Sequence, residues 1–176
     1  MAEAASTQEN PMRKIFIDRV VLSVGTGSDA QIQSNAKKLL ETITSKKVAD
    51  AVSRKRNPSF KITKGQKIGA FVTVRKADSK KLVARLLGAV DNRIRESSVT
   101  SNSLSFGIKE YIDISGIKYD PKIGMLGMNV AVSFKRPGNR VALRKRRRAD
   151  VPESHRVIKP EEIKDYMVKE FGVSFA

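Results

Sequence analysis

Hydrophobic and polar positions recur along this chain with two periods. From Lys67 to Arg75, Ile68, Ala70, Val72 and Val74 fall on one side, while Lys67, Phe71, Thr73 and Arg75 fall on the other. That period of two is the mark of a half-buried strand. Met128, Val130, Val132 and Phe134 repeat it, and Lys14–Val24 is dense enough in β-branched residues to be read as a further strand. Phe60 and Ile62 alternate with Lys61 and Thr63, which predicts a hairpin partner for Lys67–Arg75 joined through Lys64-Gly65-Gln66. Shorter strands are expected near Val48–Val52 and within the polar stretch Thr100–Ile112.

The other period is helical. Ile32, Ala36, Leu39, Leu40 and Ile43 share one face, preceded by Ser28 and Gln31 at the spacing of a capping box. Asp78 is placed to cap a second helix with Leu82, Val83, Leu86, Leu87, Val90 and Ile94 along its inner stripe. A third runs from about 160 to 171: Pro160 sits at the first helical position, Ile163, Tyr166, Met167 and Phe171 face inward, and Gly172 stops it. Strands and helices mix without regular βαβ repetition. The expected class is therefore α+β, a sheet of mostly antiparallel strands with helices packed on one face. Residues 1–12 read as a flexible leader and 13–176 as a single domain with a basic arm at 135–148.

Charge changes the picture more than size does. The chain has 176 residues, 40% of them hydrophobic, enough for a core. Against 18 acidic residues stand 35 basic ones, a formal net charge of +17. The excess is uneven. Ala51–Ala77 and Lys135–Arg148 each hold eight cations and no acid, whereas Asp91–Val130 holds five of each sign. Two acid-free blocks on a neutral scaffold are the footprint of a polyanion partner, since pairing with phosphates releases condensed counterions. With no cysteine and a single histidine, His155, disulfides, thiolate chemistry and multi-histidine metal sites are excluded. The first ten residues lack a basic and an apolar secretory region and no long apolar run follows, so a soluble intracellular protein without membrane contact is expected.

No catalytic set and no cofactor site emerges. Gly25-Thr26-Gly27-Ser28-Asp29-Ala30 formally fits the dinucleotide fingerprint, but Asp29 would repel a pyrophosphate and no βαβ unit follows. Free amides at that helix start could still meet an RNA phosphate. His155 has only sequence neighbours in Glu153 and Ser154, and Glu161 and Glu162 are explained by the helix dipole. Arg144–Arg148 reads as a phosphate-binding arm, a nuclear import signal, or both. Two readings of Phe71 stay open, a stacking platform or part of a second core over that face.

A further set of motifs occurs in a recognisable order: Asn10-Pro11-Met12-Arg13, Gly25-Thr26-Gly27, Lys61-Ile62, Lys67-Ile68-Gly69, Val72-Thr73-Val74-Arg75, Phe106-Gly107-Ile108-Lys109-Glu110, Gly116-Ile117-Lys118-Tyr119-Asp120-Pro121, Arg136-Pro137-Gly138 and His155-Arg156. In these the chain resembles the large-subunit ribosomal protein family numbered five in bacteria and eleven in eukaryotes, in its eukaryotic form. Ser115 stands as an insertion, and residues 52–60 and 149–154 depart from the family pattern. The resemblance implies a sheet face that holds 5S rRNA at the central protuberance, with no catalysis. Asn35 matches a family 5S contact, Lys64 takes the place of a polar hairpin residue with that role, and Thr73 and Arg75 match the strand that meets RNA. Loop 53–64 corresponds to one reaching the P-site tRNA, and 106–127 to a bridge with a small-subunit head protein. Large-subunit rRNA and a second 5S-associated ribosomal protein are further implied partners, with assembly in the nucleus and function on cytoplasmic ribosomes.

The candidate RNA-binding set is accordingly Arg13, Lys14, Asn35, Lys38, Arg54, Lys55, Arg56, Lys61, Thr63, Lys64, Lys67, Phe71, Thr73, Arg75, Arg144, Lys145, Arg146, Arg147, Arg148 and His155. Charge alone leaves a DNA-binding or chromatin-associated protein as the alternative.

Overall fold

The computed structural model describes residues 10–176, so residues 1–9 of the expected leader lie outside the described residues. The strands are β1 (Phe16–Gly25), β2 (Ala49–Val52), β3 (Lys67–Arg75), β4 (Arg93–Ile94), β5 (Val99–Thr100), β6 (Ser103–Ile108), β7 (Met128–Lys135) and β8 (Ser174–Phe175). Between them lie α1 (Ala30–Thr44), α2 (Ala77–Gly88), α3 (Arg140–Leu143), α4 (Glu153–Arg156) and α5 (Pro160–Phe171). Six strands form one antiparallel sheet in the order β2-β3-β1-β7-β6-β5, while β4 and β8 pair parallel on their own. The class is α+β, as the alternating and helical periods predicted. No described helix is long and apolar enough to cross a membrane.

One core fills the space between the sheet and its helices. The inward residues of β1, β3 and β7, among them Val20, Leu22, Val72, Val130 and Val132, meet Leu39 and Leu40 of α1, Leu86 of α2 and Ile163 and Met167 of α5. Each such side chain contributes roughly 1.5–3 kcal/mol on removal from water. Pro160 opens α5 and Gly172, with φ +65°, closes it as expected.

Five local expectations fail. Phe60–Lys64 is not a strand. Asn57-Pro58 starts a 3₁₀ turn over Pro58–Phe60, and Lys61 takes a left-handed φ of +55°, so extended pairing stops after a single bridge between Asn57 and Ile62. The strand beside β3 is β2, and 53–66 is the loop joining them. At α1 the cap residue is Asp29, without a side-chain bond, rather than Ser28. Gln33 replaces Ile32 on the buried face because its amide donates to Asp50 on β2 at 3.2 Å, which leaves Ile32 37% exposed.

The second helix begins after Lys76, so Asp78 lies in its first turn and pairs with Lys46 at 2.9 Å. It stops at Gly88. Asp91 and Asn92 then adopt left-handed backbone, a conformation these residue types tolerate, and Ile94 reaches the core from β4 instead.

Candidate nucleic-acid interface

Helices cover one face of the sheet, and cross-strand register shows what the other presents. Arg75 of β3 lies opposite Arg19 of β1, and Arg19 opposite Ser133 of β7. Thr73 faces Val21, which faces Ala131; Phe71 faces Ser23, which faces Asn129. On β6, Ser103 and Ser105 extend the rows beyond Ser133 and Ala131. Two guanidiniums, a band of hydroxyls and an amide thus share a surface with Phe71, and no carboxylate stands among them. Phe71 is 37% exposed and, among the described residues, belongs to no buried core.

Arg19 follows a β-bulge. The β1–β7 register shifts between Ile17 and Arg19, leaving Asp18 as the extra residue. Ile17 and Arg19 would share a side under strict alternation; the bulge keeps Ile17 in the core although Arg19 points outward. Like charges directly opposite on neighbouring strands disfavour the free sheet. Neither arginine has a carboxylate partner among the described residues. Arg19 is absent from the candidate set drawn from the sequence, although alternation with the inward Val20, Leu22 and Val24 already turns it outward; the bulge is what keeps Ile17 in the core.

β3 can approach β1 closely because position 69 is glycine: a Cβ there would stand 2.5 Å from the Val24 carbonyl oxygen. The pairing continues into the Gly25-Thr26-Gly27 turn, where Thr26 donates its amide to Ile68 O at 3.0 Å. That segment ends a strand pair and turns into α1, which accounts for its glycines without a nucleotide.

The loop 53–66 is an ordered tongue. Its base closes through Ser53 N to Gln66 O (2.8 Å) and Gly65 N to Ser53 O (2.9 Å); its middle closes through the reciprocal Asn57–Ile62 bonds. Thr63 donates its amide to Gln66 Oε1 at 2.9 Å. Arg54, Lys55, Arg56, Lys61 and Lys64 are exposed on it, with Phe60 70% exposed among them.

Other candidates fall in different places. Lys67 is tied back to Asp50 at 3.1 Å, beside Lys37 at 2.6 Å. Hydrogen bonds from Lys37 and then Lys67 hold the Asp50 carboxyl below its ordinary pKa. The amide of Asn35 donates to Lys122 O (2.9 Å) and Ile123 O (3.3 Å), pinning the 116–127 loop to α1. Lys38 and Lys14 are exposed away from any named partner. Arg144–Arg148 is exposed but bent rather than extended, with Arg147 at φ +51° and Arg144 Nε bonded to Arg147 O at 2.7 Å. Arg13 and His155 meet at a separate cavity.

Known proteins give this geometry a context. The model of the ribosomal L5 family C-terminus matches residues 67–175. Over 173 residues the chain is 40% identical to the large ribosomal subunit protein uL5 of Nitrosopumilus maritimus, covering 98% of this chain and 99% of that one. The uL5 protein of Methanosphaera stadtmanae is 39% identical over 94% of this chain and 98% of its own. That of Cenarchaeum symbiosum is 41% identical over 92% and 96% respectively.

Proposed function

The chain belongs to the ribosomal L5 family, and from that premise we propose that it binds 5S rRNA through the helix-free face of its sheet. It is a structural protein of the large ribosomal subunit, not an enzyme. The observation that carries the 5S reading is the Arg19–Arg75 pair. Two unpaired guanidiniums held side by side by strand register repel each other until a phosphate comes between them. Thr73 and the serines around them offer hydroxyls suited to ribose 2′-OH and phosphate oxygens, and Phe71 offers a ring for an unstacked base.

The remaining contacts of the reading follow the surface. The tongue 53–66 carries five exposed cations and Phe60 on a hydrogen-bonded frame, which suits it to the backbone of P-site tRNA. The loop 106–127, anchored to α1 by Asn35, is the segment for a small-subunit head protein. Arg144–Arg148 serves large-subunit rRNA and, during a nuclear assembly stage, import. A second 5S-associated ribosomal protein completes the set.

Fluorescence titration of labelled 5S rRNA with the Arg19→Glu/Arg75→Glu double variant tests the face. The expected result is at least a ~100-fold loss of affinity, with a salt slope shallower by about one per cation removed. Unchanged affinity would put the RNA elsewhere on the molecule. Equal competition by duplex DNA and 5S rRNA against the unmodified protein would favour the DNA-binding alternative instead.

A further inference from the structure

Three parts of the chain distant in sequence close around a cavity of about 810 Å³ beyond the end of β7. They are the turn Asn10–Arg13, the segment 136–141 after β7, and 151–156 leading into α5. We propose that this cavity binds a single nucleotide, unstacked from an RNA strand, with its phosphate at the guanidiniums and its base in the interior. A volume of this size is ample for one nucleotide and lies in the usual range of ligand pockets.

The lining divides into the parts such a ligand needs. Arg13 and Arg156 bring cations to the walls with His155 beside them, and the one carboxylate there, Glu162, is already bonded by Arg136. Met12, Val141 and Val151 supply apolar surface for a planar ring. The Arg136 Nε–H and the Asn139 Oδ1, on two of the residues that line the cavity, are both buried without a hydrogen-bond partner among the described residues. Buried polar atoms are rarely left unpaired, and one donor plus one acceptor is what the edge of a nucleobase satisfies. A lone phosphate could answer only the donor.

The entrance is shaped in advance. Asn10 accepts from Met12 N through its side chain at 3.0 Å and from Arg13 N through its carbonyl at 2.8 Å, fixing the turn that carries Met12 and Arg13. Met12 lies so close to Gly138, which has φ +82°, that a Cβ there would stand 2.7 Å from Met12 Cε. The φ of Gly138 is what calls for glycine there, and Met12, 53% exposed, rests its methyl against it at the rim.

Titration of the full chain with 5′-AMP, GMP, CMP and UMP, and separately with inorganic phosphate, tests the assignment by NMR. The Met12 methyl and the Gly138 and Asn139 amides are the reporters. At least one nucleotide is expected to shift them saturably and to bind about ten-fold more tightly than phosphate, a difference of about 1.4 kcal/mol. Ser154→Trp, at an exposed lining position, should abolish the shifts, and Arg13→Gln should weaken them several-fold, with melting temperature preserved in both. Arg75→Glu should leave them unchanged, so loss of 5S affinity and loss of pocket binding are separable results. Equal response to phosphate and nucleotides would reduce the cavity to an anion site and overturn the proposal. So would the absence of saturable shifts, or shifts that survive Ser154→Trp.

Discussion

The two acid-free blocks, Ala51–Ala77 and Lys135–Arg148, are equals in sequence, eight cations each, yet the fold uses them differently. The first runs through a hydrogen-bonded tongue into β3, so that Arg75 is fixed by seven paired positions against β1. The second is divided. Lys135 ends β7, Arg136 lines a cavity and bonds Glu162, and Arg144–Arg148 form an exposed bend held by few bonds. Charge density attracts a polyanion from either block, but only a cation whose position is fixed beforehand avoids paying ordering entropy on binding. Register, more than count, separates a docking face from a steering patch.

The comparison breaks if equal changes of charge have equal effects. Arg19→Glu/Arg75→Glu and Arg146→Glu/Arg147→Glu each alter the charge by four units. The first is expected to cost at least ~100-fold in 5S affinity and the second under ~10-fold, with similar losses of salt slope. Parallel filter-binding isotherms at several salt concentrations check this. Similar losses from both pairs would leave the bend as important as the sheet.

Phe71→Ala sharpens the same contrast without charge. Its ring is partly exposed, so its removal should leave urea stability within about 0.5 kcal/mol, while 5S binding weakens by roughly 1–3 kcal/mol if a base stacks there. Loss of stability with unchanged binding would assign the ring to packing. Gly69→Ala attacks the register itself. The new methyl meets the Val24 carbonyl, which is backbone and cannot swing aside. A destabilisation of about 1–3 kcal/mol in urea is expected, with a several-fold loss of 5S affinity as Arg75 shifts against Arg19.

Where the periods are clean, the fold is legible. β3, β7 and α5 stand where alternation, Pro160 and Gly172 place them, because each has one face fully committed to the core. The tongue defeats the same reasoning, since Phe60 and Ile62 alternate over too few residues to outweigh Asn57-Pro58 and a left-handed Lys61. β4 and β8 are two residues each, shorter than any period. In the site, Phe71, Thr73 and Arg75 follow directly from alternation. Arg19 follows as well once β1 is phased on Val20, Leu22 and Val24; the extra residue at Asp18 hides only why Ile17 shares their core. Lys67 fits the pattern, yet its ammonium is drawn to Asp50, a pairing between β2 and β3 that no local rule reports.

That ion pair yields the smallest effect and a clear sign. The Lys37 and Lys67 ammoniums hold the Asp50 carboxyl below its ordinary pKa in the folded chain, so the unfolded chain binds the proton more readily. Its contribution to stability is complete above the ordinary carboxylate pKa near 4 and disappears as pH falls through the lower folded value. Asp50→Asn should therefore flatten the acid limb of the stability profile below about pH 4, read by urea melts at successive pH values. Near neutrality the same substitution releases Lys67 beside the RNA-facing rows. It should then tighten 5S binding by about two- to three-fold and steepen the salt slope by up to about one. An unchanged slope would show that Lys67 serves β2 alone, and that the docking face begins at Phe71 rather than at the first residue of its strand.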